Sequence, residues 1–200
     1  MAEKLTIEIF RRMDAEDFTK ALADPESRTA VGSGAAMSAA AAAAYLHRAA
    51  ALCAREQGED ERLSWLLRNS ETLRSYMVRL IDEDVKCRGP LRRARSEGDA
   101  RAIEAAHQPA GAIANEIVNM MGQCLSLLEE LSDRAQGEAR TYIAAAAELA
   151  MGALRACMRY SVDLSMECSD ETYRYVVRRE NELTLEQLRP MYERVLEKTK

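Results

Sequence analysis

The sequence contains few aromatic residues, few histidines and few residues that break helices. Only 5% of its 200 residues are aromatic, and it has two histidines, four prolines and nine glycines. Two histidines leave little room for a zinc site or for a histidine-based catalytic triad. Apolar and polar residues nowhere alternate with a period of two, so no β-strand is predicted.

The cysteines do not form a disulfide or metal-binding pattern. Five are present, an odd number, and they are far apart with no CxxC pair: Cys53, Cys87, Cys124, Cys157 and Cys168. We interpret them as reduced cysteines, four of them at apolar helix positions in the core. The first residues are charged and contain no apolar signal region, so a cytoplasmic location is predicted.

The charge and hydropathy patterns exclude two classes of partner. The formal net charge is -5 and the two signs are interspersed, whereas nucleic-acid binding needs a basic face. The longest uncharged run, Thr29 to Leu46, is mostly alanine. Because alanine gains little on transfer into lipid, we predict neither a nucleic-acid partner nor a membrane partner.

Composition and periodicity predict an all-α bundle of about six or seven helices in a single domain, residues 1–200. Ala, Leu, Glu and Arg dominate, and apolar residues recur with a period of 3.6. In the first half we predict a turn capped by Thr6, a short helix from Asp14 to Asp24, a helix from Ser33 to Gln57, and one from Glu59 to a break at Gly89-Pro90.

The second half is predicted to contain further helices. Leu91 to His107 is charged and contains a glycine, which is compatible with two short helices. A long helix is predicted to begin at Pro109 and to end at Gly137, and an alanine-rich helix follows it. A further helix is capped at Ser169-Asp170, and the last helix starts at a capping box, Thr184 to Gln187.

A glycine turn opens the alanine-rich helix of the first half. Thr29-Ala30-Val31-Gly32-Ser33-Gly34 leads into a run of small residues that ends with six alanines, Ala39 to Ala44. With so little side-chain bulk, another helix, a second subunit or a ligand can approach the backbone closely. The turn is therefore either a packing device or a binding site.

Asp84 lies on the apolar stripe of the next predicted helix. Met77, Leu80 and Ile81 precede it by seven, four and three residues, whereas Asp82 and Glu83 are expected to face solvent. A carboxylate in an apolar setting needs a partner or takes up a proton, and it is then suited to general acid and base catalysis. The alternative is that Asp84 ends a helix and pairs with Arg88 or another arginine.

Two other patterns carry weaker signals. Glu104 and His107 have the ExxH spacing of di-iron bundles, but the motif occurs once, so a metal site is not predicted. Arg155, Arg159 and Asp163 form a polar ridge on one helix, which is either a solvated face or the wall of a cleft for an anionic or heteroaromatic ligand.

The order of these segments resembles that of a known family. Leu5 to Glu8, Phe18 to Ala23, the glycine turn with its small-residue helix, Leu80 to Asp84, and Ser161 to Leu164 follow one another along the chain. They resemble the cyclodeaminase and cyclohydrolase family, which comprises the all-helical C-terminal domain of formiminotransferase-cyclodeaminase and bacterial methenyltetrahydrofolate cyclohydrolases. Arg88 stands where that family carries an aromatic residue.

The resemblance implies a folate one-carbon enzyme, either a 5,10-methenyltetrahydrofolate cyclohydrolase or a formiminotetrahydrofolate cyclodeaminase. It implies Asp84 as the catalytic residue and Gly32, Ser33, Gly34 and Asp163 as substrate-binding residues. It also implies a tetrahydrofolate derivative as the substrate, no metal or redox cofactor, and a homodimer with the ligand near the interface.

Two alternatives remain open from the sequence. The first is a divergent family member that binds or transforms a different small heterocyclic molecule. The second is a non-catalytic helical dimer, in which the alanine-rich helix serves only as an interface.

Overall fold

The computed structural model describes residues 9–58 and 60–200, and this part of the chain is helical without a β-strand. A 3-10 turn, Phe10–Arg12, precedes six α-helices. They are α1 (Ala15–Ala23), α2 (Val31–Gln57), α3 (Glu61–Glu97), α4 (Ala100–Ser132), α5 (Gly137–Ser165) and α6 (Glu171–Lys198). The predicted all-α bundle is confirmed, while the predicted cap Thr6 and helix start Glu59 lie outside the described residues.

Helix α2 forms the centre of the bundle because its small side chains let neighbouring helices approach closely. It packs most extensively against α5 and α3. Ala39 and Ala43 of α2 and Ala146 and Ala150 of α5 are fully buried. The distance between packed helices depends on the side chains at their contact, so alanine on both helices favours a close approach. Along most of α2, the alanine run is therefore a packing surface.

Longer apolar side chains from α3 and α4 fill the rest of the core. Leu66 and Met77 of α3 and Ile117, Met121 and Leu128 of α4 are fully buried. Helix α6 lies against α4 and α5 and contributes less, since only two of its residues are buried. The apolar stripes read from the sequence are thus the buried faces of α3, α4 and α5.

Several helix ends follow the expected capping chemistry. The Asp14 side chain accepts a hydrogen bond from the backbone N–H of Asp17 at the start of α1, and Asp170 does the same for Thr172 at the start of α6. Helix α2 ends at Gly58, as predicted, where the backbone has a φ of 84°. These sequence-based boundaries are confirmed.

The predicted break at Gly89-Pro90 is wrong. Helix α3 continues through both residues to Glu97. Leu91 and Ala94 just beyond them are buried, and Leu91 packs with Ala106, Ala110 and Leu164. An interior proline costs about 3 kcal/mol, and burying one leucine returns about 1.5–3 kcal/mol. The second apolar cluster therefore keeps α3 helical where local propensity favours a break.

The later boundaries also differ from the prediction. Helix α4 begins after the cap residue Asp99 and contains Pro109, and it ends at Ser132 rather than at Gly137. Gly137 instead opens α5. Helix α6 passes through Thr184 and Pro190 without interruption, so the predicted capping box does not start a helix. At Pro109, Thr184 and Pro190 a helix thus continues through a residue that locally favours a start or a stop.

All five cysteines are free thiols, as predicted. Four are buried and Cys87 is half-buried. Burial is the largest cause that raises the pKa of each thiol, and it brings the pKa of both Cys124 and Cys157 to about 12. The four buried side chains thus act as small apolar groups of the core. Within the described residues, no helix is long and apolar enough to cross a bilayer.

Two substitutions test the continuous course of α3. Pro90 lies inside the helix, and Gly98 ends it with a positive φ of 69°. We expect Pro90→Ala to raise the free energy of unfolding by up to about 3 kcal/mol, because alanine restores the backbone hydrogen bond that proline removes from a helix interior. Gly98→Ala should lower it by about 1 kcal/mol, because the left-handed conformation strains a side chain. Urea denaturation measures both, and a loss of stability in Pro90→Ala would contradict a helix that continues through this position.

Candidate active site

Asp84 is fully buried where α3 meets the first turn of α2. Its Oδ2 atom accepts a hydrogen bond of 2.7 Å from the hydroxyl of Ser33. The predicted burial of Asp84 is correct. The predicted alternative of an ion pair with Arg88 is not formed, since no ion pair within 4 Å joins the two among the described residues.

Only glycine fits at position 32. A Cβ built there would lie 2.1 Å from Oδ1 of Asp84 and 2.6 Å from its carboxyl carbon. Real Cβ atoms do not approach other atoms so closely, so a side chain at this position would displace the carboxylate. Gly32, Ser33 and Gly34 do not form the predicted turn before the helix but belong to the first helical turn of α2, since the helix begins at Val31 rather than at Ser33. At Gly32 the backbone of α2 lies directly against Asp84.

The surroundings of Asp84 favour its protonated form. Burial raises the pKa of this carboxyl above its ordinary value, and the hydrogen bond from Ser33 and the positive charge of Arg88 reduce that rise. Desolvation penalises the charged form of an acid, whereas a donor or a nearby cation stabilises it. A carboxyl whose charged form is destabilised in this way is a candidate for proton transfer.

Arg88 and Tyr160 add two more polar groups beside Asp84. The guanidinium carbon of Arg88 lies 5.8 Å from the centroid of the Tyr160 ring. Burial raises the pKa of Tyr160 to about 12, and the charges of both Arg88 and Asp84 also act on it. Helix α3 thus supplies Asp84 and Arg88 one turn apart, and α5 supplies Tyr160.

Three buried side-chain atoms in the described residues have no hydrogen-bond partner: Oδ1 of Asp84, Nε of Arg88 and the hydroxyl of Tyr160. The electrostatic interactions among these three residues place them in one cluster. Buried polar groups are nearly always paired, so three unpaired atoms in one place need a physical reason. A ligand with both a donor and an acceptor would satisfy them.

The structure places the other predicted site residues less uniformly. Gly34 faces away from Asp84, since a Cβ there would contact the side chain of Leu22 at 3.6 Å. Asp163 is exposed and accepts a hydrogen bond of 3.0 Å from Nε of Arg159. The polar ridge on α5 is thus, in this part, a solvated ion pair. Gly32 and Ser33 contact Asp84, whereas no described hydrogen bond or ion pair joins Asp163 to it.

Asp82 does not face solvent as the helical spacing predicted. It is buried, and its carboxylate accepts a hydrogen bond of 3.2 Å from the backbone N–H of Arg11 and pairs with Nε of Arg11 at 3.2 Å. The 3-10 turn before α1 therefore covers the face of α3 that carries Asp82. This face lies outside the apolar stripe, so the stripe predicted it to be exposed. Glu83 is half-exposed and pairs with Lys86.

The residues of the ExxH motif are committed to structural contacts. Glu104 accepts hydrogen bonds from the backbone N–H and the hydroxyl of Ser169. His107 is buried, with Nδ1 2.8 Å from the Ile103 carbonyl oxygen and Nε2 3.2 Å from Oε2 of Glu167. Over residues 9–58 and 60–200, no group of three or more His, Cys, Asp or Glu side chains is arranged to hold a metal ion.

The sequence matches a known family over most of its length. The family described as formiminotransferase-cyclodeaminase matches residues 14–182. The chain belongs to the formiminotransferase-cyclodeaminase family. The matched range includes every residue of the cluster around Asp84, and the resemblance inferred from the order of segments is confirmed.

A solved structure of the family has the same fold. The crystal structure of formiminotetrahydrofolate cyclodeaminase from Thermotoga maritima superposes with a TM-score of 0.85 over 94% of this chain and 96% of that chain, at 18% sequence identity. At this identity the likeness establishes the helical fold of the family. No curated protein matches the sequence.

Arg88 and Tyr160 are the two members of the cluster that the sequence did not identify as site residues. The sequence presents Arg88 as a salt-bridge partner of Asp84 and as the residue that stands where the family carries an aromatic one. Tyr160 follows the predicted polar residue Arg159 without any distinguishing pattern. One signal was available for Arg88, since a residue four positions after Asp84 lies on the same helix face. To identify Tyr160, one has to know how α3 and α5 are rotated relative to each other, and no local pattern in the sequence specifies that rotation.

The buried carboxyl makes a specific contribution to the pH dependence of stability. Because the pKa of Asp84 is raised on folding, the folded state holds this proton more tightly than the unfolded state does. The contribution is fully favourable below the unfolded pKa of about 4 and is lost as the pH rises through the folded pKa. We expect Asp84→Asn, which stays neutral, to unfold at higher denaturant concentration than wild type at neutral pH, with a difference that shrinks as the pH approaches about 4.

Urea denaturation of both proteins across that pH range measures the difference. Its slope with pH cannot exceed about 1.4 kcal/mol per pH unit for a single group. Glu83→Gln is the matched control, since Glu83 is half-exposed on the same helix. A stability difference between wild type and Asp84→Asn that does not vary with pH would show that burial does not raise the pKa of Asp84.

Proposed function

We propose that this protein is a folate one-carbon enzyme that acts as a formiminotetrahydrofolate cyclodeaminase or a 5,10-methenyltetrahydrofolate cyclohydrolase. The observation that carries the proposal is the state of Asp84. One carboxyl oxygen is fixed by Ser33 at 2.7 Å, while the other is buried without a protein partner. A carboxyl held in this way can accept or donate a proton at one defined oxygen.

The similarity to other proteins supports a folate-type substrate. The chain belongs to the formiminotransferase-cyclodeaminase family, and a structure with the same fold is titled formiminotetrahydrofolate cyclodeaminase. Fold alone does not fix an activity, so the proposal also depends on the residues of the site. Asp84 lies within the segment Leu80 to Asp84 that carries the resemblance to the family.

Both reactions need the proton chemistry that Asp84 can perform. In the cyclodeaminase reaction, N10 attacks the formimino carbon on N5, the new carbon–nitrogen bond closes the ring, and ammonia leaves. Oδ1 of Asp84 would take the proton from N10 and return it to the departing amino group. Asp84 in its charged form would also stabilise the cationic amidine formed in the ring.

The cyclohydrolase reaction uses the same group on the same carbon. Water adds to the carbon that bridges N5 and N10 of the methenyl cation, and the ring then opens to a formyl product. Asp84 would accept one proton from the attacking water and donate it to the nitrogen that leaves, while the second proton passes from the intermediate hydroxyl to solvent as the carbonyl forms. The two reactions differ in the leaving group, so one carboxyl of raised pKa serves either.

Activity measurements on an acid-to-amide pair test the role of Asp84. We expect wild-type protein to form the methenyl chromophore from 5-formiminotetrahydrofolate with release of ammonia, or to accelerate its loss from 5,10-methenyltetrahydrofolate. Asp84→Asn should lower kcat by about 10²-fold to 10⁴-fold, because the amide cannot transfer the proton. Absorbance of the chromophore and an ammonia assay distinguish the two reactions.

The control for that experiment is Glu83→Gln, which makes the same chemical change one residue earlier, where the side chain pairs with Lys86. It should keep wild-type kcat. Wild-type protein that is folded but changes neither substrate would exclude the proposed function. A binding response to a different heterocycle would then favour the divergent family member predicted as an alternative.

We also propose that the protein forms a homodimer through the open face of α2. Val31, Met37 and Tyr45 are exposed along one side of this helix, with exposed fractions of 46%, 39% and 37%, and Leu22 of α1 is exposed beside them. Large apolar side chains exposed along one helix face are typical of a protein interface, and the same surface on two copies forms a closed two-fold contact. This face begins at the glycine turn that contacts Asp84.

A charge placed in the stripe tests the dimer. Met37→Glu should raise the dissociation constant of the dimer at least about tenfold, because the interface would bury an unpaired carboxylate. Sedimentation velocity measures the change. Met166→Glu is the control, since Met166 is an exposed methionine at the end of α5. A wild-type protein that stays monomeric at high concentration would contradict the homodimer.

A further inference from the structure

Two groups of the cluster around Asp84 have no part in the proton transfer proposed above. The Nε of Arg88 and the hydroxyl of Tyr160 are both buried and have no partner in the described residues. A buried polar group without a partner costs about 1–3 kcal/mol, so each would gain from a ligand atom that pairs with it. The inference that follows rests on the proposed function and deepens it.

Both groups present donors. A guanidinium has N–H donors and no acceptor, and it stays charged throughout the working range of pH. The hydroxyl of Tyr160 keeps its proton near neutral pH, because burial raises its pKa to about 12. The two side chains are neighbours, since the guanidinium carbon lies 5.8 Å from the centroid of the tyrosine ring. Together they would bind one acceptor oxygen of a ligand.

The local charge also favours an acceptor. No acidic side chain of the described residues lies within ion-pair distance of Arg88 or of Arg92, one turn further along α3. The pKa of Arg92 is lowered by burial and then by the nearby charges of Arg28 and Arg88. This side of the site is thus cationic, and an oxygen with negative character would reduce the repulsion among the guanidinium groups.

The position of the two donors relative to Asp84 indicates which oxygen they reach. Asp84 and Arg88 are four residues apart on α3, a separation of about 6 Å along the axis, slightly more than one helical turn. In a tetrahydrofolate derivative, the oxygen on carbon 4 of the pterin ring lies beside N5, next to the one-carbon unit. The glutamate carboxylates lie at the other end of the molecule. We propose that Arg88 and Tyr160 donate hydrogen bonds to the 4-oxo oxygen of the substrate's pterin ring, and so act as positioning and specificity-determining residues.

A pair of ligands that differ at this one atom tests the proposal. 5-Formyltetrahydrofolate carries the acceptor oxygen, and its 4-amino-4-deoxy analogue carries a donor in its place. Wild-type protein should bind the oxo compound about 10-fold to 100-fold more tightly, because the amino group would leave both buried donors unpaired. Isothermal titration calorimetry measures both dissociation constants.

Variants assign that discrimination to the two residues. Arg88→Met should weaken binding of the oxo compound at least about tenfold and leave binding of the amino compound nearly unchanged. Tyr160→Phe should also weaken binding of the oxo compound, by a smaller factor. Arg88→Lys should retain part of the preference for the oxo compound over the amino compound. Arg92→Met removes a positive charge one turn away on the same helix and should keep the wild-type ratio. Circular dichroism and thermal unfolding establish that each variant is folded.

The outcomes separate this proposal from the proposed function. Wild type that binds both ligands equally, or Arg88→Met that weakens both equally, overturns the assignment of the 4-oxo oxygen while folate binding stands. If Arg88→Met weakens binding of 5-formyltetrahydrofolate but not of 5-formyltetrahydropteroate, which lacks glutamate, the acceptor is a glutamate carboxylate and the ring assignment is wrong. If wild type binds neither folate, both proposals fail.

Discussion

The close approach of the α2 backbone to the carboxyl of Asp84 is the contact on which the geometry of the candidate site depends. Gly32 leaves no space for a side chain, and the hydroxyl of the next residue, Ser33, fixes one carboxyl oxygen. The first turn of α2 therefore has to meet the middle of α3 at this point. Helix α2 packs along both α3, which carries Arg88, and α5, which carries Tyr160. The cluster around this contact therefore combines side chains from three helices.

The alanine-rich packing of α2 makes a buried polar site possible in a small bundle. Polar groups in a low-dielectric interior are costly unless they are paired, and the bundle holds three unpaired atoms in one cluster. The surrounding core offsets this cost through many fully buried apolar side chains on α2 to α5. Different parts of the same helices therefore have different roles. Their apolar faces stabilise the fold, and the contact between α2 and α3 holds the candidate site.

The sequence allowed the fold class and the burial of Asp84 to be predicted, because both depend on local periodicity. The stripe that contains Met77 and Ile81 placed Asp84 in the core, and the glycine turn was identified as a point of close approach. Asp82 was placed wrongly because its partner, Arg11, is distant in sequence. The break at Pro90 was predicted from local propensity, whereas tertiary burial of Leu91 decides the conformation. What could not be predicted is, in each case, a contact between elements far apart along the chain.

The free cysteines have a practical consequence. Alkylation and oxidation require the thiolate, and burial raises the pKa of all five thiols in this protein. Cys157 also lies near enough to Asp84 for the carboxylate charge to raise its pKa further. Modification of this thiol by an alkylating reagent would therefore require the α2–α5 core to open transiently. The rate of labelling at Cys157 therefore measures how often α2 and α5 open around Asp84. Slower labelling in the presence of a ligand would show that the ligand reduces this opening.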